Sequence, residues 1–310
     1  MEKFTNWRDK GTGIAPFLPT PPPLSQEKGL GLVLNNVKFV FKAVCVFPLA
    51  LLALMMPEMV SKKLWLIVMK VLFSWSIQVA AQGVKKRDQR GELPATGHVY
   101  VVNCNCPLDA LVLWFLAQGP VAFCVPLIRG KSTRVFQLSV WQFFEFALNS
   151  GQIHGDLSSF REVETVSQLK NQVVYVFAEG TTSNGKSVLP FAFSQESWLD
   201  LLDQRSATAG SSSSYNSSTR LSTPKVDINA IQLKVNSSLT TPLRIDRWKY
   251  LVRASSQGVS YKCKMIKSVE PQLEKVRTAL VGGDKFRLVG KELNFESKLR
   301  FVKEFASRRR

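Results

Sequence analysis

Two short polar segments, each directly after an apolar run, carry the side chains that are suited to chemistry. The first is "NCNCPLD", residues 103–109, which contains Cys104 and Asp109. The second is "EGTTSNGKS", residues 179–187, which places a carboxylate beside glycine, hydroxyl groups and a lysine. A thiol near a carboxylate suits nucleophilic or acid–base chemistry. Glycine, hydroxyl and lysine side chains together are typical of a loop that binds phosphate.

The second segment also fits the phosphate-loop pattern G-x-x-x-x-G-K-S, from Gly180 to Ser187. A true phosphate loop continues directly into a helix whose N-terminus faces the phosphates. Here Pro190 follows, which removes a hydrogen-bond donor and favours extended geometry at Leu189. We therefore do not expect a nucleoside triphosphatase.

An alignment that begins one residue earlier, at Glu179, fits better. The stretch "FAEGTTS" resembles the Phe-x-Glu-Gly-Thr signature of the glycerolipid acyltransferases. In that family an upstream strand ends in Asn-His, four residues and Asp, and here Asn103, Cys104 and Asp109 have the same spacing with cysteine in place of histidine. The segments "NWRDKGTGIAPFLP", "SWSIQVAAQGVKKRD" and "ESKLRFVKEF" extend the resemblance, which is to fungal lysophosphatidic acid acyltransferases of lipid droplets and the endoplasmic reticulum.

The resemblance implies an O-acyltransferase that uses acyl-CoA as co-substrate and acylates a lysophospholipid, most of all lysophosphatidic acid. It implies an α/β fold, with a mixed sheet flanked by helices and an N-terminal membrane-associated helical hairpin. It implies that Cys104 and Asp109 are catalytic, with Asp109 orienting the residue at position 104. It also implies that Glu179, Gly180 and Thr181 bind the glycerol-phosphate head group, and that the protein holds no bound cofactor and no metal.

Side chains beyond the family motif extend the predicted phosphate site. Ser183 offers a hydroxyl and an amide donor, and Lys186 adds positive charge near the bound phosphate. The alternative is a plain strand-to-loop turn with Asn184-Gly185 at a hairpin tip.

Cys104 leaves several roles open, because a thiol is a poor general base at neutral pH. It could accept the acyl chain itself, or the phosphate of the substrate, with a second pKa of about 6, could take the proton. The protein could also bind acyl-CoA or lysolipid without turnover, as a lipid-binding or trafficking protein that kept the fold. Cys104 is otherwise a small apolar core residue, and Asp109 a carboxylate that favours the start of a helix.

The elements around these segments alternate between strand and helix patterns over residues 83–310. "HVYVVN", "PVAFCVPLI" and "VVYVFA" predict buried strands, as do "INAIQLKV" and "VSYKCKMI" further on. Helices are predicted over 134–148, from Pro271 to Val281 and in an amphipathic C-terminal segment with the apolar stripe Leu299, Phe301, Val302 and Phe305. A disordered Ser-rich insertion is predicted at about 204–224. Because an α/β sheet usually places its site after buried strands, the two polar segments are expected to meet.

The first 82 residues have a different character. Residues 1–36 are rich in Pro and Gly and predict an extended arm, whereas residues 37–82 contain two apolar runs, each shorter than the roughly 20 residues of a spanning helix. Pro48 predicts a kink, and Lys and Arg flank both ends. This favours a hairpin that dips into one leaflet with both ends on the cytosolic side, although two core helices remain the alternative.

Composition limits the partners. The chain of 310 residues is 45% hydrophobic and carries 41 Lys and Arg against 23 Asp and Glu, a net charge of +18 that favours nucleic acid, anionic lipid or phosphate-bearing substrates. No zinc-finger, basic-zipper or RNP pattern occurs, so we expect no nucleic acid. The resemblance implies acyl-CoA, a lysophospholipid and a membrane or lipid-droplet surface as partners. The odd number of scattered cysteines indicates reduced thiols and a domain that faces the cytosol. The resemblance implies a location on endoplasmic reticulum or lipid droplets.

Overall fold

A computed structural model describes most of the chain, with seven described ranges: residues 2–21, 29–85, 89–129, 132–153, 157–202, 227–282 and 287–307. The predicted Ser-rich insertion at 204–224 lies outside these ranges.

The described residues form helices and strands in alternation. The helices are α1 (Leu30–Met55), α2 (Glu58–Phe73), α3 (Asp109–Leu116), α4 (Val140–Leu148), α5 (Gln195–Leu201), α6 (Arg247–Gln257), α7 (Leu273–Val281) and α8 (Phe295–Ser307). The strands are β1 (Ser76–Ala81), β2 (Val99–Val102), β3 (Val121–Arg129), β4 (Ser132–Leu138), β5 (Arg161–Glu162), β6 (Val173–Val176), β7 (Ser187–Val188), β8 (Ile228–Lys234), β9 (Ser260–Ile266) and β10 (Arg287–Leu288).

Eight of these strands form one mixed sheet in the order β1-β9-β8-β2-β6-β3-β4-β5. The centre, β8-β2-β6-β3, is parallel, and antiparallel pairs flank it on both sides. All four residues of β2 and of β6 are buried, as expected for parallel strands covered on both faces. The predicted α/β fold, with a mixed sheet between helices, is confirmed.

The two faces of the sheet bury separate apolar clusters. On one face aromatic rings pack against one another beneath α3 and α4: Phe123, Phe143, Tyr175 and Phe177. On the other face aliphatic strand residues pack beneath α5 and α7, and the cluster includes Val101, Val174, Trp198 and Leu280. These two clusters fix the ends of β2 and β6, from which the polar segments start.

The helix predicted over 134–148 is wrong in its first half. Residues 132–138 form β4, which pairs antiparallel with β3, and α4 begins only at Val140. Ser139 separates the two elements, because its hydroxyl accepts from the Gln142 amide while the Gln142 side chain accepts from the Ser139 amide. This capping box marks a helix start. Similarly, α7 begins at Leu273 rather than at Pro271.

The N-terminal segment is packed, in contrast to the predicted extended arm. Residues 2–7 form a 3₁₀ helix, and the Phe17 side chain is fully buried against Phe301 of α8, with ring centroids 5.8 Å apart. The Trp7 indole donates to Glu304 at 3.0 Å. Residues 30–36, at the end of the predicted arm, belong to α1.

The predicted hairpin corresponds mainly to α1 and α2. Within the described residues, α1 is long and apolar enough to cross a membrane, with a length of about 39 Å. It runs through Pro48 as one helix, and most of its apolar surface is exposed. Helix α2 has 16 residues, about 24 Å, which is shorter than a hydrocarbon core of about 30 Å. The predicted range of 37–82 differs at its end, because residues 76–81 form β1 of the sheet.

Candidate active site

The two polar segments meet at one end of the sheet. They follow β2 and β6, which are adjacent and parallel, with Val101 opposite Val176. The Ser183 amide donates to the Cys104 carbonyl oxygen at 3.0 Å. The structure therefore brings the predicted catalytic segment and the predicted phosphate loop into direct contact, where sequence reasoning expected the site.

Two buried asparagines hold the segment after β2 in place. Asn103 donates its side-chain amide to the Leu233 carbonyl oxygen at 2.9 Å and accepts from the Leu233 amide at 2.7 Å. Asn105 donates to the same carbonyl oxygen at 2.9 Å. Because buried amides need partners, these bonds to β8 fix the backbone on both sides of Cys104.

Asp109 closes the turn in which it lies. Its carboxylate accepts from the backbone amides of Asn105 and Cys106 at 2.7 and 2.9 Å, from the Tyr261 hydroxyl at 2.7 Å and from the Cys106 thiol at 3.3 Å. Burial raises its pKa, and these hydrogen bonds oppose the rise. The bonds described for Asp109 therefore go to Cys106 and Tyr261, rather than to the Cys104 thiol as the resemblance implied. The physical reason is that the side chain turns back toward the amides of Asn105 and Cys106, in the turn that precedes α3.

The Cys104 thiol is fully buried. Burial raises its pKa well above its ordinary value, the charges of Asp109 and Glu179 raise the pKa further, and Lys298 opposes them. At neutral pH the side chain is therefore a protonated thiol in this arrangement. A thiol without its thiolate form is a weak nucleophile and a poor base.

Glu179 is a buried carboxyl group with one free oxygen. Its Oε1 accepts from the Leu189 amide at 3.2 Å, whereas Oε2 has no hydrogen-bond partner among the described residues. Burial raises the pKa of Glu179 to about 8, against the effect of the Leu189 amide and of the charges of Arg277 and Lys298. A carboxyl group that keeps its proton at neutral pH can donate a hydrogen bond to a phosphate instead of repelling it.

The loop after Glu179 depends on glycine. Gly180 has a φ of 63°, and a Cβ at this position would lie 2.8 Å from the Pro126 carbonyl oxygen. The Thr181 hydroxyl donates to the Ser150 carbonyl oxygen at 3.2 Å. The loop that contains Gly180, Thr181 and Ser183 is therefore closely packed, and a residue larger than glycine would not fit at position 180.

The far end of the loop lies outside the buried site. Lys186 is exposed, so its charge lies at the surface rather than in the buried loop. The preceding Asn184 is buried and donates to the carbonyl oxygens of Ala15 and Leu18 at 2.8 and 3.2 Å. The alternative of a hairpin tip at Asn184-Gly185 is wrong, because β7 pairs with β10 and not with β6.

Sequence reasoning missed Lys298 of α8. This lysine is 1% exposed, and its ammonium group donates to the Ser150 carbonyl oxygen at 2.7 Å, to the Thr182 hydroxyl at 2.9 Å and to the Thr182 carbonyl oxygen. The sequence contains a signal for it. Position 298 lies three residues before Phe301 and four before Val302, so a lysine stands in phase with the apolar stripe of α8.

The described residues contain no cluster of three or more His, Cys, Asp or Glu side chains that could hold a metal ion. The groups described at this site are thiol, carboxyl, hydroxyl, amide and ammonium groups. The centre of the sheet is parallel, with a Cys-x4-Asp segment after β2 and a Glu-Gly-Thr loop after the neighbouring β6. This combination defines the class of the glycerolipid acyltransferases.

The comparison with known proteins identifies the branch of this class. The chain is 38% identical over 320 residues to lysophosphatidic acid:oleoyl-CoA acyltransferase 1 of Saccharomyces cerevisiae, covering 100% of this chain and 99% of that protein. The chain belongs to the family of that acyltransferase, which confirms the resemblance seen in the sequence. A Schizosaccharomyces pombe protein, described as a candidate lysophosphatidic acid:oleoyl-CoA acyltransferase, is 27% identical over 211 residues, 62% of this chain and 67% of its own.

A solved structure is also similar. It is the crystal structure of the 1-acyl-sn-glycerophosphate acyltransferase PlsC from Thermotoga maritima, with 18% identity and a TM-score of 0.36 over 88% of this chain and 96% of that chain. No protein-family model matches the chain.

Proposed function

We propose that this protein transfers a fatty acyl group from acyl-CoA to lysophosphatidic acid and forms phosphatidic acid at the cytosolic face of a membrane. The observation that carries the proposal is the 3.0 Å hydrogen bond between Ser183 and Cys104, which joins the two family segments into one site. Membership of a family whose full-length relative bears this activity in its name supports the substrate assignment.

The reaction needs one bond to form and one to break. The acceptor hydroxyl oxygen forms a bond to the thioester carbonyl carbon, the bond from that carbon to sulfur breaks, and coenzyme A leaves. The hydroxyl proton passes first to the phosphate of lysophosphatidic acid, with a second pKa of about 6, and then to the leaving thiolate. The raised pKa of Cys104 favours this route over a thiolate at that position.

The described residues have distinct tasks in this scheme. In this scheme Glu179, protonated at neutral pH and with Oε2 lacking a partner among the described residues, would donate to a phosphate held by the loop from Gly180 to Ser183. Asp109 is a positioning residue, because it fixes the turn that carries Cys104. Cys104 forms the wall beside the reacting hydroxyl, and Lys186 attracts the anionic substrate from the surface.

The membrane location is part of the proposal. Exposed apolar side chains along α1 favour insertion into lipid, where substrate and product both reside. Free cysteines at all five positions fit the reducing cytosol. The resemblance to fungal relatives favours the endoplasmic reticulum and lipid droplets, and imaging of a fluorescent fusion with carbonate extraction of membranes tests this location.

Acyl transfer by the purified full-length chain in phospholipid vesicles tests the activity. Oleoyl-CoA and lysophosphatidic acid are supplied, and phosphatidic acid is measured by mass spectrometry. We expect turnover by wild type, a loss of about 10- to 100-fold in Glu179→Ala, and less than about tenfold in Cys104→Ala. The exposed Lys303→Met variant serves as the control.

Two results would contradict parts of the proposal. A wild type without activity that gains activity in Cys104→His would indicate a lipid-binding protein that lost catalysis. A covalent acyl adduct on Cys104, trapped during turnover, would replace the phosphate-assisted route with an acyl-enzyme route.

A further inference from the structure

The proposed reaction assigns no role to the most deeply buried cation near the site. Lys298 enters from α8, far from both family segments along the sequence, and its partners are backbone and hydroxyl oxygens rather than a carboxylate. Burying a cation costs free energy unless its hydrogen bonds are satisfied. The position of this charge therefore needs an explanation.

The hydrogen bonds of Lys298 fit its ammonium form. The carbonyl oxygens of Ser150 and Thr182 can only accept. The Thr182 hydroxyl donates its own hydrogen to the Thr241 carbonyl oxygen at 2.6 Å, so it must accept from Lys298. Three acceptors require three N–H donors, which only the ammonium form has. Because no lone pair is free, Lys298 is not the general base in this arrangement.

One peptide group connects Lys298 to the segment after β2. The Thr182 carbonyl oxygen accepts from the ammonium group. The N–H of the same peptide group, which belongs to Ser183, donates to the Cys104 carbonyl oxygen at 3.0 Å. The orientation of this peptide therefore depends on a hydrogen bond at each end, and hydrogen bonds in such a chain strengthen one another.

The charge of Lys298 also acts on the site. Burial lowers its pKa to about 7. Lys298 in turn opposes the rise in the pKa of Cys104 and of Glu179. Groups with such shifts concentrate at functional sites.

We propose that Lys298 is a positioning residue of the acyl-transfer site, which holds the loop from Gly180 to Ser183 in the conformation that binds the phosphate of the acceptor lipid. This inference rests on the proposed function, because that function places the phosphate at this loop. It predicts a defect in the use of the acceptor and not in the use of acyl-CoA.

The test compares Lys298→Met with Lys303→Met, the same substitution at an exposed position of the same helix. The KM for lysophosphatidic acid in Lys298→Met should rise at least about tenfold, because a charged hydrogen-bond network is lost. The KM for oleoyl-CoA should change less than about twofold, and Lys303→Met should match wild type. A purely structural role would lower the fraction of active protein without a change in either KM, and this outcome would overturn the proposal.

Two further measurements keep the test decisive. If Lys298→Met does not fold, Thr182→Val keeps the ammonium group and removes one of its acceptors, and an unchanged KM for lysophosphatidic acid in that variant would refute the inference. If wild type shows no turnover, the proposed function fails. The Kd for lysophosphatidic acid in detergent micelles then decides the role of Lys298, with weaker binding in Lys298→Met expected and equal binding contradicting it.

Discussion

The unfolding free energy of Glu179→Gln, measured against pH, tests the burial of the central carboxyl group. Because the pKa of Glu179 rises from 4.5 in the unfolded chain to about 8 in the folded protein, the folded protein keeps a proton that the unfolded chain loses in this interval. The stabilisation from the neutral carboxyl is complete below the unfolded pKa and is lost as the pH rises through the folded pKa. The side-chain amide that replaces this carboxyl group in the variant stays neutral throughout.

The expected magnitude follows from the pKa difference. Between pH 5 and pH 8 the unfolding free energy of wild type falls by about 1.4 kcal/mol per pH unit over most of the interval. The slope is smaller at both ends, where titration is incomplete. Relative to Glu179→Gln, the unfolding free energy of wild type should therefore fall by about 3–4 kcal/mol from pH 5 to pH 8. Groups common to both proteins cancel in this difference.

Urea unfolding in detergent, followed by tryptophan fluorescence, measures the effect at pH 5, 6, 7 and 8. The buried Trp198 contributes to this signal. The matched control is Glu296→Gln, the same substitution at an exposed glutamate of α8. Parallel pH profiles for wild type and Glu179→Gln would refute the reasoning, because they would mean that the folded protein ionises Glu179 as readily as the unfolded chain.

Three other substitutions test the packing around the site by thermal unfolding. Gly180→Ala should lower the unfolding free energy by about 1–3 kcal/mol more than Gly97→Ala does, because both glycines have a positive φ but of the two only Gly180 lacks room for a Cβ. Equal losses would contradict the described loop. Tyr261→Phe removes a hydrogen bond to the buried Asp109 and should cost about 1–3 kcal/mol, whereas no loss would show that the bond is dispensable. Phe17→Ala should cost about 3–5 kcal/mol and expose the N-terminal segment to proteolysis, and an unchanged digestion pattern would contradict its packing.

The sequence predicts those parts of the fold that depend on local pattern. Short runs of β-branched residues identify β2 and β6, and the position of polar residues after them locates the site. The same local reasoning fails for β4, because its apolar content suits a strand or a helix equally, and only the capping box at Ser139 separates the two.

Long-range partners explain the rest of what the sequence could not predict. Asp109 bonds to Tyr261, 152 residues away, and Lys298 bonds to Ser150, 148 residues away. Because these partners lie far apart in the sequence, no local sequence pattern predicts either hydrogen bond. The family resemblance implied a partner for Asp109 at position 104, yet the side chain bonds within its own turn and to Tyr261, because those donors lie closer in the folded chain.

The packing of the N-terminal segment restricts how the chain could cross the membrane at its proposed location. Residues before α1 and residues after α2 touch, since Trp7 bonds to Glu304 and Asp9 accepts from the Gly290 amide at 2.7 Å. These contacts cannot exist across a bilayer, so the polypeptide crosses it twice or not at all. Because α2 is too short for a full crossing, the proposed membrane location favours a hairpin that enters and leaves through a single leaflet. In the proposed location, such an anchor would suit the monolayer that surrounds an oil droplet as well as a bilayer leaflet, because that monolayer has water on only one side.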